Sequence, residues 1–411
     1  MDLSVDTSVY IRVSAVMFLE YAIWGAWAPV LAARLLGPLK MTGKQTGWIY
    51  GTLPIASIIS PLVAGWLADK YINTEWILAG CHALAAILMF VAVKQQTFKG
   101  VFTVMFLWSL LYAATLPLVN AILFRHVPEA ERGLVFLWAP VAWALVGYFL
   151  TGWRNVRGGE GDGSDCLLLS AVLGALMVVA CVFAPTTPPA GSTGEIPIVG
   201  ALGHLARFDF LVFVLASMAV AGMMQFYFLG SARFMTDMGI PGKNVPATMG
   251  IAQAAQAIAT FLVLGWSVQQ LGYQWTLVIG AACWLLMYLV YVAGQPRSLI
   301  VVSQALHGLA YVLFIIAGQM FAAKVDPRAS MQGLIFVATT GIGLFLGTQL
   351  AGITMDKYSV NGQFQWRKIW LVPLVITLVG TLVLATIFQA ETPAAPADQA
   401  AAAIATELPT S

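Results

Sequence analysis

The sequence predicts an all-α membrane protein of twelve transmembrane helices in two related six-helix halves. Composition, the spacing of apolar runs and a repeat at constant offset carry that prediction. Of 411 residues, 60% are hydrophobic and 9% charged, against roughly 25% charged in soluble domains. The mean hydropathy is +0.85. Apolar runs of about 20 residues, enough to cross roughly 30 Å of hydrocarbon, recur along the whole chain. The net charge of +2 comes with no basic run and no RNA-binding motif, so no nucleic-acid partner is expected. The lipid bilayer is.

Twelve runs are expected, at about 10–36, 44–68, 75–95, 100–125, 133–153, 166–184, 208–236, 245–269, 273–294, 298–323, 330–355 and 368–389. They are called spans 1 to 12. The opening MDLSVDTSV has no basic segment, so span 1 is expected to act as an uncleaved signal. Residues 185–207, PTTPPAGSTGEIPIVGALGHLAR, are rich in Pro, Gly and Thr and divide the runs six and six. The expected organisation is an N-terminal half over 1–184, a central loop over 185–207, a C-terminal half over 208–389 and a disordered tail over 390–411. Cys81, Cys166, Cys181 and Cys283 form no CxxC pair, and three lie within apolar runs. They read as small buried hydrophobes.

The repeat links the two halves. Gly65-Trp66 recurs as Gly265-Trp266, Gly133-Leu134-Val135-Phe136 as Gly333-Leu334-Ile335-Phe336, and Gly147, Leu150 and Gly152 as Gly347, Leu350 and Gly352. The offset is constant, and each match falls in the corresponding helix of its half. Two parallel six-helix halves joined by a long loop resemble the major facilitator layout. The end of span 2, GWLADKY over 65–71, resembles the Gly-x-x-x-Asp-Lys element of that superfamily. The resemblance implies a gating role for Gly65, Asp69 and Lys70: close helix approach at the glycine, and charge contacts that break and reform as the halves rock. The counterpart after span 8 reads GWSVQQL, and an Asp-Lys pair returns in GITMDKY at the end of span 11. Gly341, Gly343, Gly347 and Gly352 make span 11 a helix able to pack closely and bend.

Glu20, in MFLEYAIWGAW, lies about ten residues into span 1. A carboxylate there costs roughly 2.5–3.5 kcal/mol or more on insertion scales. It survives by facing a wet cavity, pairing or taking a proton, and apolar burial favours the protonated form. Two roles are open: proton coupling with substrate contact, or a structural bond to a neighbouring helix. Trp24 and Trp27, at i+4 and i+7, share its face and suit stacking on a flat ring. Polar stripes recur at Tyr112, Thr115 and Asn120 in span 4, Gln225 in span 7, Gln253, Gln256 and Thr260 in span 8, and Gln304, His307 and Tyr311 in span 10. A lone buried amide most often joins helices, whereas several such stripes suit a common cavity. His307 is a second candidate proton carrier, and His82 reads as structural. There is no Ser-His-Asp set, metal-spaced cluster or phosphate loop, so no enzyme activity, cofactor or metal is expected.

These stretches resemble the nucleoside:proton symporter family of the major facilitator superfamily. The resemblance rests on FLEYAIWGAW, ADKY followed by Trp76 to His82, LYAATLPLVN and ASMQGLIFVATTGIGLFLG, in that order. It implies uptake of a nucleoside or similar small polar solute with protons by alternating access, in a bacterial-type inner membrane, by a monomer with both termini cytoplasmic. The expected substrate contacts are Glu20, Trp24, Trp27, Tyr112, Asn120, Gln225, Gln253, Gln256, His307 and Tyr311. Glu20 and His307 are the expected proton carriers. The chain departs from the family pattern at Phe136, Gln256 and Val312, where an arginine, a glutamate and an aspartate are characteristic. A sugar or other solute carrier, an uncoupled facilitator and a membrane sensor are the alternatives. Termini inside would place Arg12, Lys70, Arg125, Arg132, Arg207, Lys324 and Arg328 on the cytoplasmic side and the other basic residues outside, opposite to the positive-inside trend.

Overall fold

The computed structural model describes residues 5–189, 199–326 and 329–390. Parts of the expected central loop (190–198) and tail (391–411) lie outside the described residues. Among the described residues twelve helices are long and apolar enough to span a membrane: Thr7–Leu36, Gly43–Lys70, Thr74–Val93, Phe98–His126, Arg132–Val156, Asp165–Phe183, Phe208–Asp237, Gly242–Leu262, Leu264–Ala293, Arg297–Val325, Met331–Lys357 and Trp366–Thr386. They fall where the twelve apolar runs were expected. Local chemistry explains several ends. Asp6 accepts hydrogen bonds from the Ser8 and Val9 amides at the start of span 1. Thr42 and Gln45 form a reciprocal capping box at the start of span 2. Span 1 bends beyond Trp27 and resumes at Leu31, with Pro29 at the bend.

Spans 8 and 9 share one helical stretch between Leu264 and Ala293, yet the chain reverses inside it. Gly272, at φ 73° and ψ 174°, makes the turn, a backbone region open to glycine and costly for other residues. The Ser267 and Thr276 hydroxyls meet across it at 3.0 Å. Span 8 therefore carries on past Leu262 through Gly265-Trp266, as its pairing with Gly65-Trp66 requires.

Spans 1 to 6 pack on one another, as do spans 7 to 12, and the halves meet mainly through span 2 against span 11 and span 5 against span 8. These two seams close the side that carries the 1–2, 5–6, 7–8 and 11–12 connections. A Cβ on Gly47 would lie 2.6 Å from the Thr348 carbonyl and one on Gly147 2.6 Å from the Pro246 carbonyl, and one on Gly352 would collide with the Gly43 carbonyl. Only a bare glycine permits such approaches. The Asp356 carboxylate accepts from the Gly43 and Lys44 amides at the start of span 2. At the other seam the Ala247 amide donates to Thr151 Oγ1 at 2.9 Å. Each seam thus places a side-chain oxygen of one half on the free amides that begin a helix of the other.

Toward the opposite side the seams part. A Cβ added at Gly65, Gly133 or Gly265 would meet nothing within 4 Å, and Asp69 and Lys70 are exposed. The close approach expected at Gly65 is absent in this conformation. The described parts of the central loop tie to different halves. The Thr187 amide donates to Glu75 Oε2 at 2.9 Å, whereas His204 pairs with Asp326 at 3.0 Å.

Candidate functional site

Between the halves lies a cavity of about 1090 Å³, counting the part open to solvent. Tyr21, Trp24 and Trp27 of span 1 line it, with Tyr50, Pro54 and Ser57 of span 2 and Ala139, Pro140 and Trp143 of span 5. The other half contributes Met224, Gln225 and Phe228 of span 7, Gln253 and Gln256 of span 8, His307, Tyr311 and Ile315 of span 10, and Thr339, Thr340 and Leu344 of span 11. Among the described residues no Asp, Glu, Lys or Arg lines it. Spans 10 and 11 each widen into a π-helical turn at this depth, over Tyr311–Ile316 and Val337–Gly343. Such turns often accompany functional sites, and these bring Tyr311, Ile315, Thr339 and Thr340 to the wall.

Seven of the ten residues expected to contact substrate line the cavity: Trp24, Trp27, Gln225, Gln253, Gln256, His307 and Tyr311. Glu20, Tyr112 and Asn120 do not. The face that Glu20 shares with the tryptophans turns toward spans 3 and 4, and the cavity reaches only its edge. Span 4 supplies only Leu116 to the wall. Tyr112 is buried, donates to the Glu20 carbonyl at 2.7 Å and stacks on Trp108 with ring centroids 4.6 Å apart. Gln304, part of the span 10 stripe, also turns away. It accepts from Tyr227 at 3.0 Å and donates to the Tyr291 hydroxyl at 2.7 Å, joining spans 7, 9 and 10. At the positions where the chain departs from the family pattern, Phe136 and Val312 lie off the wall, and only Gln256 faces the cavity.

Trp143 is a wall residue that sequence reasoning missed. Its ring meets Trp24 edge-on at 5.4 Å and lies 6.1 Å from Phe228. Span 5 has an apolar, aromatic sequence whose periodicity marks the helix but not which aromatic faces the partner half. Tyr50 was missed for the same reason. Its hydroxyl donates to the Ala28 carbonyl at 2.8 Å and accepts from the Ala32 amide at 3.0 Å, satisfying the backbone at the bend of span 1.

Glu20 is fully buried behind the wall. Its Oε2 lies 2.9 Å from His82 Nε2 and its Oε1 2.7 Å from Thr115 Oγ1. Thr115 Oγ1 is also 2.6 Å from the Tyr112 carbonyl. A hydroxyl has one proton to donate, so two proton inventories fit one set of atomic positions. With Glu20 ionised, Thr115 donates to Oε1 and His82 Nε2–H to Oε2. With Glu20 protonated at Oε1, the acid donates to Thr115 Oγ1, Thr115 donates to the Tyr112 carbonyl, and the His82 contact persists. The carboxyl can thus gain or lose a proton with no heavy atom moving. Tyr21 and Trp24, beside it in the chain, connect this cluster to the cavity wall.

A twelve-helix chain of two six-helix halves around a central, uncharged cavity, closed on one side by glycine-lined seams, is a carrier of the major facilitator fold. The model of the nucleoside H+ symporter family matches residues 7–393, and the chain belongs to that family. It is a membrane transporter, not an enzyme. It is 30% identical over 383 residues to the putative nucleoside transporter YegT of Escherichia coli (strain K12), covering 87% of this chain and 89% of that protein. It is 26% identical to the nucleoside permease NupG of the same organism, covering 88% and 91%. A crystal structure of nucleoside transporter NupG superposes with a TM-score of 0.81 at 24% identity, over 93% of this chain and 99% of that one. A bacterial homologue of the human lysosomal transporter Spinster follows with a TM-score of 0.74 at 14% identity, over 94% and 98%. These two structural likenesses speak to the fold alone.

Proposed function

We propose that the protein moves nucleosides together with protons by alternating access through the central cavity. The observation that carries this reading is the wall itself: aromatic rings and three glutamine amides, with no Asp, Glu, Lys or Arg among the described residues. An uncharged cavity suits a neutral polar solute and disfavours phosphorylated or zwitterionic ones, whose charge would be desolvated without a partner. Trp24 and Trp143 offer an edge-on aromatic corner for a base, with Trp27 and Tyr311 beside it, and Gln225, Gln253 and Gln256 offer donors and acceptors for ribose hydroxyls and base edges.

Glu20 is the proton-linked group in this reading, held by His82, Thr115 and Tyr112. Protonated Glu20 favours the loaded carrier; release of its proton to the inside weakens solute binding. The chain works as a monomer in a bacterial-type inner membrane with both termini cytoplasmic. The closed seams then face the periplasm, the conformation is inward-open, and the exposed Asp69 and Lys70 with Gly65 re-engage when the inner side closes. The Asp-Lys element of span 2 supports this orientation, while the distribution of basic residues opposes it.

Uptake of radiolabelled uridine into proteoliposomes, with and without an inward proton gradient, tests the reading. Gradient-driven accumulation is expected. Uptake that only equilibrates would make the protein an uncoupled facilitator. No uptake by folded protein would remove uridine as substrate and turn attention to other nucleosides and sugars.

A further inference from the structure

His307 stands on the cavity wall, but its ring is set from outside the cavity. Trp284 of span 9 is fully buried, lines no part of the cavity, and points its indole Nε1 at His307 Nδ1 across 3.1 Å. An indole N–H donates and cannot accept. Nδ1 must therefore present its lone pair, and the imidazole proton resides on Nε2. The ring cannot swing away to exchange roles. Tyr227 stacks on it with centroids 3.9 Å apart and planes 19° apart, Phe228 meets it edge-on at 6.0 Å, and Tyr227 is itself anchored on Gln304. Among the described residues Nε2 has no protein partner.

The surroundings also oppose a charged ring. Protonating Nδ1 would set two N–H groups against each other. The polar groups around the ring are Tyr227 from span 7, Trp284 from span 9, and Gln304 and Tyr311 from its own span; Gln256 of span 8 lines the same cavity. None is a carboxylate that would stabilise a cation.

Resting on the transport reading above, we propose that Trp284 is a positioning residue that holds His307 as a neutral Nε2–H donor. That donor recognises a carbonyl oxygen or unprotonated ring nitrogen on the solute. His307 is then a binding residue and not the second proton carrier expected from its residue type. Its role complements the glutamines, each of which can present either donor or acceptor, whereas His307 presents only a donor. A solute with a donor at that point meets two opposed hydrogens and is rejected.

Two measurements test this, and the first needs no solute. Nitrogen-15 NMR of histidine-labelled, ligand-free protein, with the His307 signal identified by its loss in His307→Gln, should give a protonated Nε2 and a bare Nδ1 from about pH 5.5 to 8. In Trp284→Phe, where nothing donates to Nδ1, the same ring should populate both tautomers. A wild-type ring protonated at Nδ1, or titrating in that range, overturns the proposal. The second measurement is uridine uptake. A glutamine amide nitrogen reaches the place of Nε2, and an asparagine one that of Nδ1. His307→Gln should keep KM near wild type, and His307→Asn should raise it about five- to tenfold. Trp284→Phe should raise KM with kcat little changed, because part of the population then carries its proton on Nδ1. Equal losses in the Gln and Asn variants overturn the donor role. Absence of uridine uptake by the wild type would remove uridine as the substrate, while the tautomer measurement would still decide what Trp284 does.

Discussion

A carboxyl group in mid-membrane must find partners for two oxygens, and Glu20 finds them on spans 3 and 4. The cavity it was expected to face is reached by its neighbours instead. The substitution Glu20→Gln reproduces the protonated inventory: the amide donates to Thr115 and its oxygen accepts from His82. It should fold with unchanged thermal stability and retain nucleoside exchange, yet lose gradient-driven accumulation in proteoliposomes. Persistent accumulation would exclude Glu20 as the coupling group. Glu20→Leu removes both acceptors and strands the buried His82 N–H, costing about 1–3 kcal/mol, visible as a lower unfolding midpoint in detergent. Trp143 makes a different prediction. Base–aromatic stacking is worth about 1–3 kcal/mol per base, so Trp143→Leu should raise KM for uridine about tenfold, with the protein remaining folded.

The elements of this carrier meet where side chains are missing. Gly43, Gly47, Thr348 and Gly352 bring spans 2 and 11 close enough for the Asp356 carboxylate to cap span 2. A leucine at Gly352 would drive its Cβ into the Gly43 carbonyl and pry this seam apart. Gly352→Leu should shift the population toward the opposite conformation. A cysteine placed at the buried Thr348, in a background lacking the four native thiols, should then be alkylated faster by a membrane-impermeant reagent. Asp356→Asn should act in the same direction but more weakly. A carboxylate at a helix N-terminus contributes roughly 0.3–1 kcal/mol, which corresponds to about a two- to fivefold shift. The glycine-rich run of span 11 was legible in the sequence as close packing. Its partners were not, because glycine marks a place of approach without naming what approaches.

For the whole molecule, sidedness has a direct readout. If the termini are cytoplasmic, an impermeant thiol reagent applied to intact cells should label a cysteine at Lys243, in the 7–8 connection, and spare one at Lys70. The reverse pattern would invert the carrier and make this conformation outward-open. The repeat at constant offset foretold two like halves, and the seams obey it: span 2 meets span 11, and span 8 meets span 5. The capping groups differ, a carboxylate at one seam and a hydroxyl at the other. A change that perturbs one seam should therefore respond differently to salt from a change at the other.

The class of protein was already written in the order of residues. Apolar length, even helix count, internal repeat and family stretches are all local or periodic signals, and the membrane makes them stringent because every backbone group in a span must be satisfied within its own helix. The sequence also named seven of the residues that line the cavity, its three glutamines among them, since polar side chains in an apolar helix have few places to point. The packed fold was needed to show that Glu20 and Tyr112 turn away from the cavity, that Gln304 ties helices together, that Trp143 completes the wall and that Trp284 points its N–H at His307. Those outcomes depend on the rotation of each helix about its axis. Packing against neighbours sets that rotation, and a run of residues apolar on all sides carries almost no record of it.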